Sequence, residues 1–180
     1  SPNIGEQEAG VIDGLFHARE RMGRTVANLL LLARIGNQQF PPEHIDWRVL
    51  IEDQHRAMED MIVQRGLRYS LRQEQPCLLR LHPILAELLI SNLMRNAVLH
   101  NLPAGTVNVV LGAEGFMIVN TGPELGVDPA RLFERFAKAD PSSPSTGLGL
   151  SMVKEIADQN GLLLSYGYAA GVHTVVVKGA

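Results

Sequence analysis

Two asparagines one helical turn apart are the first residues in this sequence that could do chemistry. Asn92 and Asn96 lie in an apolar stretch whose repeat places them on one helix face together with Leu85, Leu89 and Leu99. A buried amide without a partner costs about 1 to 3 kcal/mol, so the site must supply a partner for each side chain. The partners could be backbone groups or water in the core, or a hard cation such as Mg2+, which takes oxygen ligands. The pattern alone leaves both interpretations open.

A second candidate is the glycine-containing turn Thr146-Gly-Leu-Gly-Leu150, which leads directly into a helical pattern. A helix N-terminus presents free N–H groups and the positive end of the helix dipole, so such a turn can bind phosphate. It can also be a simple helix cap, and it is neither the GxxxxGK[ST] loop nor a GxGxxG after a strand. The Pro/Ser-rich stretch before it, 140–146, predicts a mobile flap.

The third candidate is Val119-Asn-Thr-Gly-Pro-Glu124, at the end of an apolar strand pattern. It could be an ordinary turn. Alternatively, the Asn120 amide at the end of a buried strand, followed by a glycine that lets backbone approach a ligand, could hold a flat polar base.

Helices and strands must position these three candidate sites. The hydrophobic periodicity and the turn residues predict alternating strands and helices after a linker at 36–44. Helices are predicted at 10–36, 47–64, 83–100, 131–136 and 148–159. Strands are predicted at 44–46, 67–72, 77–81, 107–111, 116–119, 162–168 and 172–178. Hairpin pairs with helices between them indicate an α+β fold, a two-layer sandwich with one mixed sheet under a helical layer, preceded by a long N-terminal helix.

Composition narrows the possible functions. A net charge of -3 over 180 residues gives no electrostatic argument for nucleic acid binding. No apolar run reaches the ~20 residues of a membrane span, so no membrane contact is expected. A single cysteine and no CxxC or HExxH spacing leave no zinc site to propose. Because the chain begins with Ser1 and polar sequence, we expect it to be part of a longer protein.

The order of the motifs is more specific than any one of them. Asn92-Leu-Met-Arg-Asn-Ala97, Val119 to Glu124, Leu132-Phe-Glu-Arg-Phe136 and Thr146 to Leu150 resemble the N, G1, F and G2 boxes of the sensor histidine kinase ATP-binding domain. The resemblance runs from about residue 44 to 178. It implies the Bergerat (GHKL) type of sandwich shared with gyrase-type ATPases and Hsp90, with ATP and Mg2+ as cofactors and a flexible lid.

The resemblance also implies roles for residues. Asn96 would be the Mg2+ ligand and Asn92 its companion on the phosphate side, while Asn120 would meet the adenine amino group and Gly122 would permit close approach. The remaining nucleotide-site residues would be His100, Lys138, Thr146, Gly147, Leu148, Gly149 and Leu150. Gly147 and Gly149 would bring backbone N–H groups to the phosphates, and Lys138 would reach a phosphate as a catalytic point charge. Phe133 and Phe136 would anchor the lid.

Several positions depart from the family pattern. Asn120 replaces the usual Asp, and Glu124 replaces the second glycine of the G1 box. Leu99 stands where many members carry a basic residue, and Ser145 stands where a first G2 glycine is often found. These departures predict real but modest nucleotide affinity.

The residue type at position 92 distinguishes the branches of the wider group that contains histidine kinases, gyrase-type ATPases and Hsp90. Hydrolysing members and anti-sigma serine kinases usually carry Glu one turn before the metal-binding Asn, whereas histidine kinases resemble this sequence in having Asn92 there. Residues 1–40 look like the second helix of a dimerisation and phosphotransfer hairpin plus linker, and 41–180 like the ATP-binding catalytic domain. The phosphoacceptor box is absent, and His17 is interpreted as a surface residue.

We therefore predict a protein histidine kinase domain that transfers the ATP γ-phosphoryl group to a histidine outside this chain, for relay to a response regulator. The expected partners are the phosphoacceptor domain of the same protein and a second copy bound through the N-terminal helix. The expected location is the cytoplasmic portion of an inner-membrane sensor kinase. The alternatives are a degenerate nucleotide-responsive interaction module, suggested by Asn120 and Glu124, and an anti-sigma-type serine kinase.

Overall fold

The computed structural model describes residues 40–134, 137 and 147–180, together with Gly23. The predicted helix 10–36 lies outside the described residues except for Gly23, which is helical. The division of the chain into 1–40 and 41–180 therefore stays a prediction.

The described residues form a mixed α and β chain. The strands are β1 (Glu43–His44), β2 (Arg68–Gln73), β3 (Arg80–Leu81), β4 (Thr106–Gly112), β5 (Gly115–Thr121), β6 (Leu162–Ala169) and β7 (Val172–Gly179). The helices are α1 (Trp47–Ala57), α2 (Glu59–Gln64), α3 (Pro83–Leu99), a 3₁₀ helix (Pro129–Phe133) and α4 (Gly149–Gln159).

Five strands form one mixed sheet in the order β2-β4-β5-β7-β6. Strand β2 pairs with β4 in parallel, and the other neighbours pair antiparallel. A separate two-stranded sheet joins β1 to β3, so the segment that leads into the domain pairs beside the start of α3. The predicted fold class, one mixed sheet under a helical layer, is confirmed.

The core lies between the sheet and its helices. Alternate residues of β4, β5 and β7 are buried, as expected for a sheet with one covered face. Helix α3 packs on the sheet and also against α1 and α4, so it is the central helix of the layer. Pro83 occupies its first turn and the His82 side chain accepts from Ile84 N–H, which together fix where this helix begins.

Three predicted elements differ in detail. The helix predicted over 47–64 breaks at Met58, and the shorter α2 then carries Ile62 into the core. The strand predicted over 77–81 is reduced to Arg80–Leu81, because Leu78 N–H donates to Ala113 and the Leu79 carbonyl accepts from the Trp47 indole. The helix predicted over 131–136 is the 3₁₀ helix Pro129–Phe133, and Phe136 lies outside the described residues.

Candidate nucleotide-binding site

The two asparagines of α3 are half-buried and lie one turn apart on the side that meets α4. Asn92 Nδ2 donates to the Leu88 carbonyl at 2.8 Å and lies 3.7 Å from the Met152 sulfur of α4. These contacts use the amide nitrogen and leave Asn92 Oδ1 as an acceptor. Within the described ranges, no hydrogen bond involves the Asn96 side chain. A backbone carbonyl therefore accepts a hydrogen bond from the Asn92 amide nitrogen, and the side-chain oxygens of Asn92 and Asn96 remain available to a ligand.

Helix α4 begins opposite Asn92. Gly147 has φ +68°, a left-handed conformation that glycine adopts without strain, and it turns the chain into the helix. Leu148 is fully buried, and its carbonyl accepts from Met152 N–H and from the Ser151 hydroxyl. The N–H groups of the first turn of a helix have no acceptor within that helix, so α4 presents donors at this end.

Asn92 and Gly149 are in direct apposition. A Cβ added at Gly149 would lie 3.0 Å from Asn92 Oδ1. The glycine therefore lets the start of α4 approach the amide closely. The structure thus brings the N-box residue Asn92 and the G2-box residue Gly149 together, although they are far apart in the sequence.

The other end of the candidate site is the end of β5. Asn120 is 7% exposed and faces the helical layer, as do the buried residues Phe116 and Ile118 of the same strand. Its Nδ2 donates to the Thr121 carbonyl at 2.9 Å. This bond orients the amide so that Oδ1 is the remaining acceptor, which is the group that an exocyclic amine on a base needs.

The turn after Asn120 is packed against the last strand. A Cβ at Gly122 would lie 2.3 Å from two atoms of the His173 ring and 3.2 Å from the His100 carbonyl. His173 Nε2 lies 3.0 Å from the Pro123 carbonyl, and Nδ1 lies 2.8 Å from the Tyr166 hydroxyl. Burial lowers the pKa of His173 from its ordinary 6.5, and the Pro123 hydrogen bond opposes part of that shift. Burial raises the pKa of Tyr166 to about 12.

A second polar cluster fixes the same strand end from the α3 side. Asn101 Nδ2 donates to the carbonyls of Ala97 and Thr106, both at 2.9 Å. The Thr121 hydroxyl donates to Asn101 Oδ1 at 2.5 Å and accepts from Thr106 N–H at 2.8 Å. Gly105 leaves room for this cluster, since a Cβ there would lie 2.1 Å from Asn101 Oδ1. Both polar atoms of the Asn101 side-chain amide thus form hydrogen bonds within the protein.

Four predicted site residues remain, which are Leu150, His100, Lys138 and Thr146, together with Glu124, which departs from the G1 pattern. Leu150 packs against the core, and His100 is an exposed residue that caps the C-terminus of α3, as its backbone N–H donates to the Asn96 carbonyl. Glu124 is exposed beyond the turn. Lys138 and Thr146 lie outside the described residues. No group of three or more His, Cys, Asp or Glu side chains that could hold a metal occurs in the described part of the chain.

Sequence reasoning missed His173, Asn101 and Tyr166. None belongs to a motif, and each acts through a neighbour that is at least 7 residues away in the chain. The only available signal was a histidine and two tyrosines on inward-facing positions of the last hairpin, which the pattern alone would assign to the core.

The fold and the paired amide and glycine positions define an ATP-binding α+β domain of the sensor-kinase type. The family model described as "Histidine kinase-, DNA gyrase B-, and HSP90-like ATPase" matches residues 82–177. The chain belongs to this family, which confirms the family prediction.

The relatives are sensor kinases. The chain is 38% identical over 163 residues to the sensor protein QseC of Escherichia coli K12, covering 83% of this chain and 34% of QseC. It is 28% identical over 175 residues to the sensor protein IrlS of Burkholderia pseudomallei, covering 89% of this chain and 36% of IrlS. The chain thus spans about a third of the length of these relatives.

Solved structures agree with the fold. The cytoplasmic segment of the histidine kinase QseC superposes with a TM-score of 0.64 at 25% identity, covering 89% of this chain and 93% of that one. The Acinetobacter baumannii histidine kinase AdeS gives a TM-score of 0.76 at 19% identity, covering 100% of this chain and 86% of that one. No helix in the described ranges is long and apolar enough to cross a membrane.

Proposed function

We propose that this chain binds MgATP between α3 and α4 and supplies its γ-phosphoryl group to a histidine outside the chain. The observation that supports this most strongly is the apposition of Asn92 Oδ1 and Gly149, at the end of α4 where backbone N–H groups are unpaired within the helix. A triphosphate seated there would meet these donors on one side and the amide oxygens of α3 on the other.

The metal assignment rests on donor chemistry. Asn92 and Asn96 present carboxamide oxygens one turn apart, and Asn92 Nδ2 is already used by the Leu88 carbonyl, so its oxygen is the atom available to a cation shell. We assign Asn96 as the direct Mg2+ ligand and Asn92 as its phosphate-side companion. Bound Mg2+ would neutralise phosphate charge during transfer.

Base recognition is assigned to the β5 end. Asn120 would accept from the adenine amino group through Oδ1, because its nitrogen is held by the Thr121 carbonyl. Gly147 and Gly149 would present N–H groups to the phosphates, and Leu148 and Leu150 would support that turn from the core. His100, Lys138 and Thr146 complete the proposed nucleotide site, with Lys138 as the cation that would reach a phosphate.

Transfer to histidine is favoured over hydrolysis by residue 92. A base that activates water would be expected one turn before the metal ligand, and Asn92 cannot accept a proton in that role. The acceptor would be a histidine of the phosphoacceptor domain of the same protein, and a response regulator would take the phosphoryl group from it. Residues 10–36 would supply a dimerising helix, and we place the domain on the cytoplasmic side of a membrane sensor.

A calorimetric titration with MgATP tests the proposal. Asn96→Ala should abolish measurable binding, because it removes the metal ligand. Asn108→Ala is the matched control, since Asn108 accepts from Ser70 on the opposite face of the sheet, and it should bind as tightly as the parent chain. Absence of MgATP binding by the parent chain up to millimolar nucleotide would reject the proposal in favour of a degenerate interaction module.

Incubation with radiolabelled ATP tests where the acceptor lies. The purified chain should acquire no covalent phosphate, because its phosphoacceptor box is absent. Acid-labile phosphate on this chain would contradict the assignment of the acceptor to another segment.

A further inference from the structure

His173 lies beside the proposed base-binding residue without belonging to any motif. Its Cα pairs with that of Asn120 across β5 and β7, and both side chains face the helical layer. His173 is 6% exposed. A nearly buried histidine needs a hydrogen-bond partner for each ring nitrogen. Those partners show which parts of the protein the ring holds in place.

The two partners fix the protonation pattern of the ring. The Pro123 carbonyl can only accept, so Nε2 must carry the proton that it donates across 3.0 Å. In the neutral ring Nδ1 is then an acceptor, and the Tyr166 hydroxyl donates to it across 2.8 Å. Since burial disfavours the charged ring and raises the pKa of Tyr166 to about 12, both groups stay in these states near neutral pH.

The ring also occupies the volume next to Gly122. Its Cδ2 and Nε2 atoms lie 2.3 Å from the position that a Cβ at residue 122 would take. The ring cannot easily move away, because it is held by two hydrogen bonds and packs against Tyr168 with ring centroids 4.7 Å apart. The absence of a side chain at residue 122 is therefore already explained by His173, before any ligand is considered.

We propose that His173 is a positioning residue for the base-binding turn, and that residue 122 is glycine in order to admit the His173 imidazole. The hydrogen bond to Pro123 and the contact with Gly122 hold the turn that follows Asn120, so that the Asn120 amide meets the base in a fixed place. This inference rests on the proposed function, in which that turn binds adenine.

A double-mutant cycle on nucleotide affinity tests it. We would measure MgATP dissociation constants for the parent chain, Gly122→Ala, His173→Ala and the combined variant. Gly122→Ala should weaken binding at least tenfold, about 1.4 kcal/mol, because the new methyl group displaces the ring. In the His173→Ala background the same change should cost less than about threefold. The remaining neighbour, the His100 carbonyl at 3.2 Å, requires only a small shift.

If Gly122 is glycine to admit the nucleotide instead, Gly122→Ala weakens binding equally in both backgrounds, and the inference fails. If His173→Ala binds MgATP as tightly as the parent chain, the positioning role also fails, although the proposed function stands. If the parent chain does not bind MgATP, both the proposed function and this inference fail. The first two results therefore separate failure of the inference from failure of the function.

Two further variants separate positioning from simple space filling. His173→Gln keeps an N–H that can donate to the Pro123 carbonyl, whereas His173→Leu keeps bulk and loses the donor. We expect His173→Gln to bind MgATP within about threefold of the parent and His173→Leu to lose about tenfold, which is about 1.4 kcal/mol. Equal binding by the two variants would overturn the role of the hydrogen bond. Thermal unfolding of each variant without nucleotide shows that it is folded under the assay conditions.

Discussion

The two ends of the candidate site are built in different ways. On the phosphate side, Asn92, Asn96 and Gly149 come from two helices and share few hydrogen bonds with the rest of the protein. On the base side, Asn120 and Thr121 end a strand that Asn101, two residues after α3, holds through the Thr121 hydroxyl. The same strand pairs with β7, which carries His173. On the phosphate side, the side-chain oxygens of the two asparagines remain available to a ligand. On the base side, most polar side-chain atoms already form hydrogen bonds within the protein. We infer that the base side is preformed and that the phosphate side completes its contacts when nucleotide binds.

The largest expected effect comes from the same substitution, Asn→Ala, made at the base side and at the phosphate side of the site. Asn101→Ala removes three hydrogen bonds at a residue 5% exposed and leaves buried partners unpaired, so we expect a loss of about 3 kcal/mol in the free energy of unfolding. Asn92→Ala removes one bond to a backbone carbonyl at a half-buried position and should cost about 1 kcal/mol. Urea unfolding followed by circular dichroism measures both. Equal losses would contradict the difference between the two ends.

This difference also explains what could be predicted from sequence. The phosphate side depends on local patterns, because Asn92 and Asn96 are a turn apart on one helix, and Gly147 precedes another helix that begins at Gly149. Hairpin turns and helix periodicity predict the fold. The order of the four motifs along the chain then indicates the family. The base side depends on contacts such as His173 to Pro123, 50 residues apart. No local pattern distinguishes such a histidine from an ordinary core residue, and the sequence therefore predicts a role for Gly122 toward the ligand alone.

The next largest effect concerns the left-handed glycines. Gly147 and Gly161 have φ of +68° and +64°, so alanine should strain either backbone and cost about 1 to 2 kcal/mol of stability. Gly147 precedes α4, whereas Gly161 follows it at the far end. We therefore expect Gly147→Ala to weaken MgATP binding and Gly161→Ala to leave it unchanged at a similar cost in stability. Weakened binding in both variants would show that strain acts through general stability and not through the phosphate turn.

A smaller effect is expected from the hydroxyl behind His173. Tyr166→Phe keeps the ring that packs edge-on against Phe133, with centroids 6.2 Å apart, and removes the donor to His173 Nδ1. We expect a loss of about 1 kcal/mol in unfolding free energy. Tyr168→Phe is the matched control, because Tyr168 contacts the imidazole only through its ring among the described contacts. A larger loss in Tyr168→Phe than in Tyr166→Phe would argue against the hydroxyl as the partner of Nδ1.

The smallest effect should appear in the pH dependence of stability. Because burial lowers the pKa of His173 from 6.5, the unfolded chain takes up this proton first as the pH falls. The contribution of the neutral imidazole to stability is therefore complete above about pH 6.5 and declines as the pH falls toward the lowered pKa of the folded state. Among the described residues, the titratable groups packed against this ring are the phenols of Tyr166 and Tyr168. Relative to His173→Gln, which has no proton to bind, the parent chain should lose more stability between pH 7.5 and 5.5 in thermal unfolding. Parallel losses in the two proteins would mean that the imidazole is as protonated in the folded chain as in the unfolded one, which the burial of the ring and the acceptor role of Nδ1 oppose.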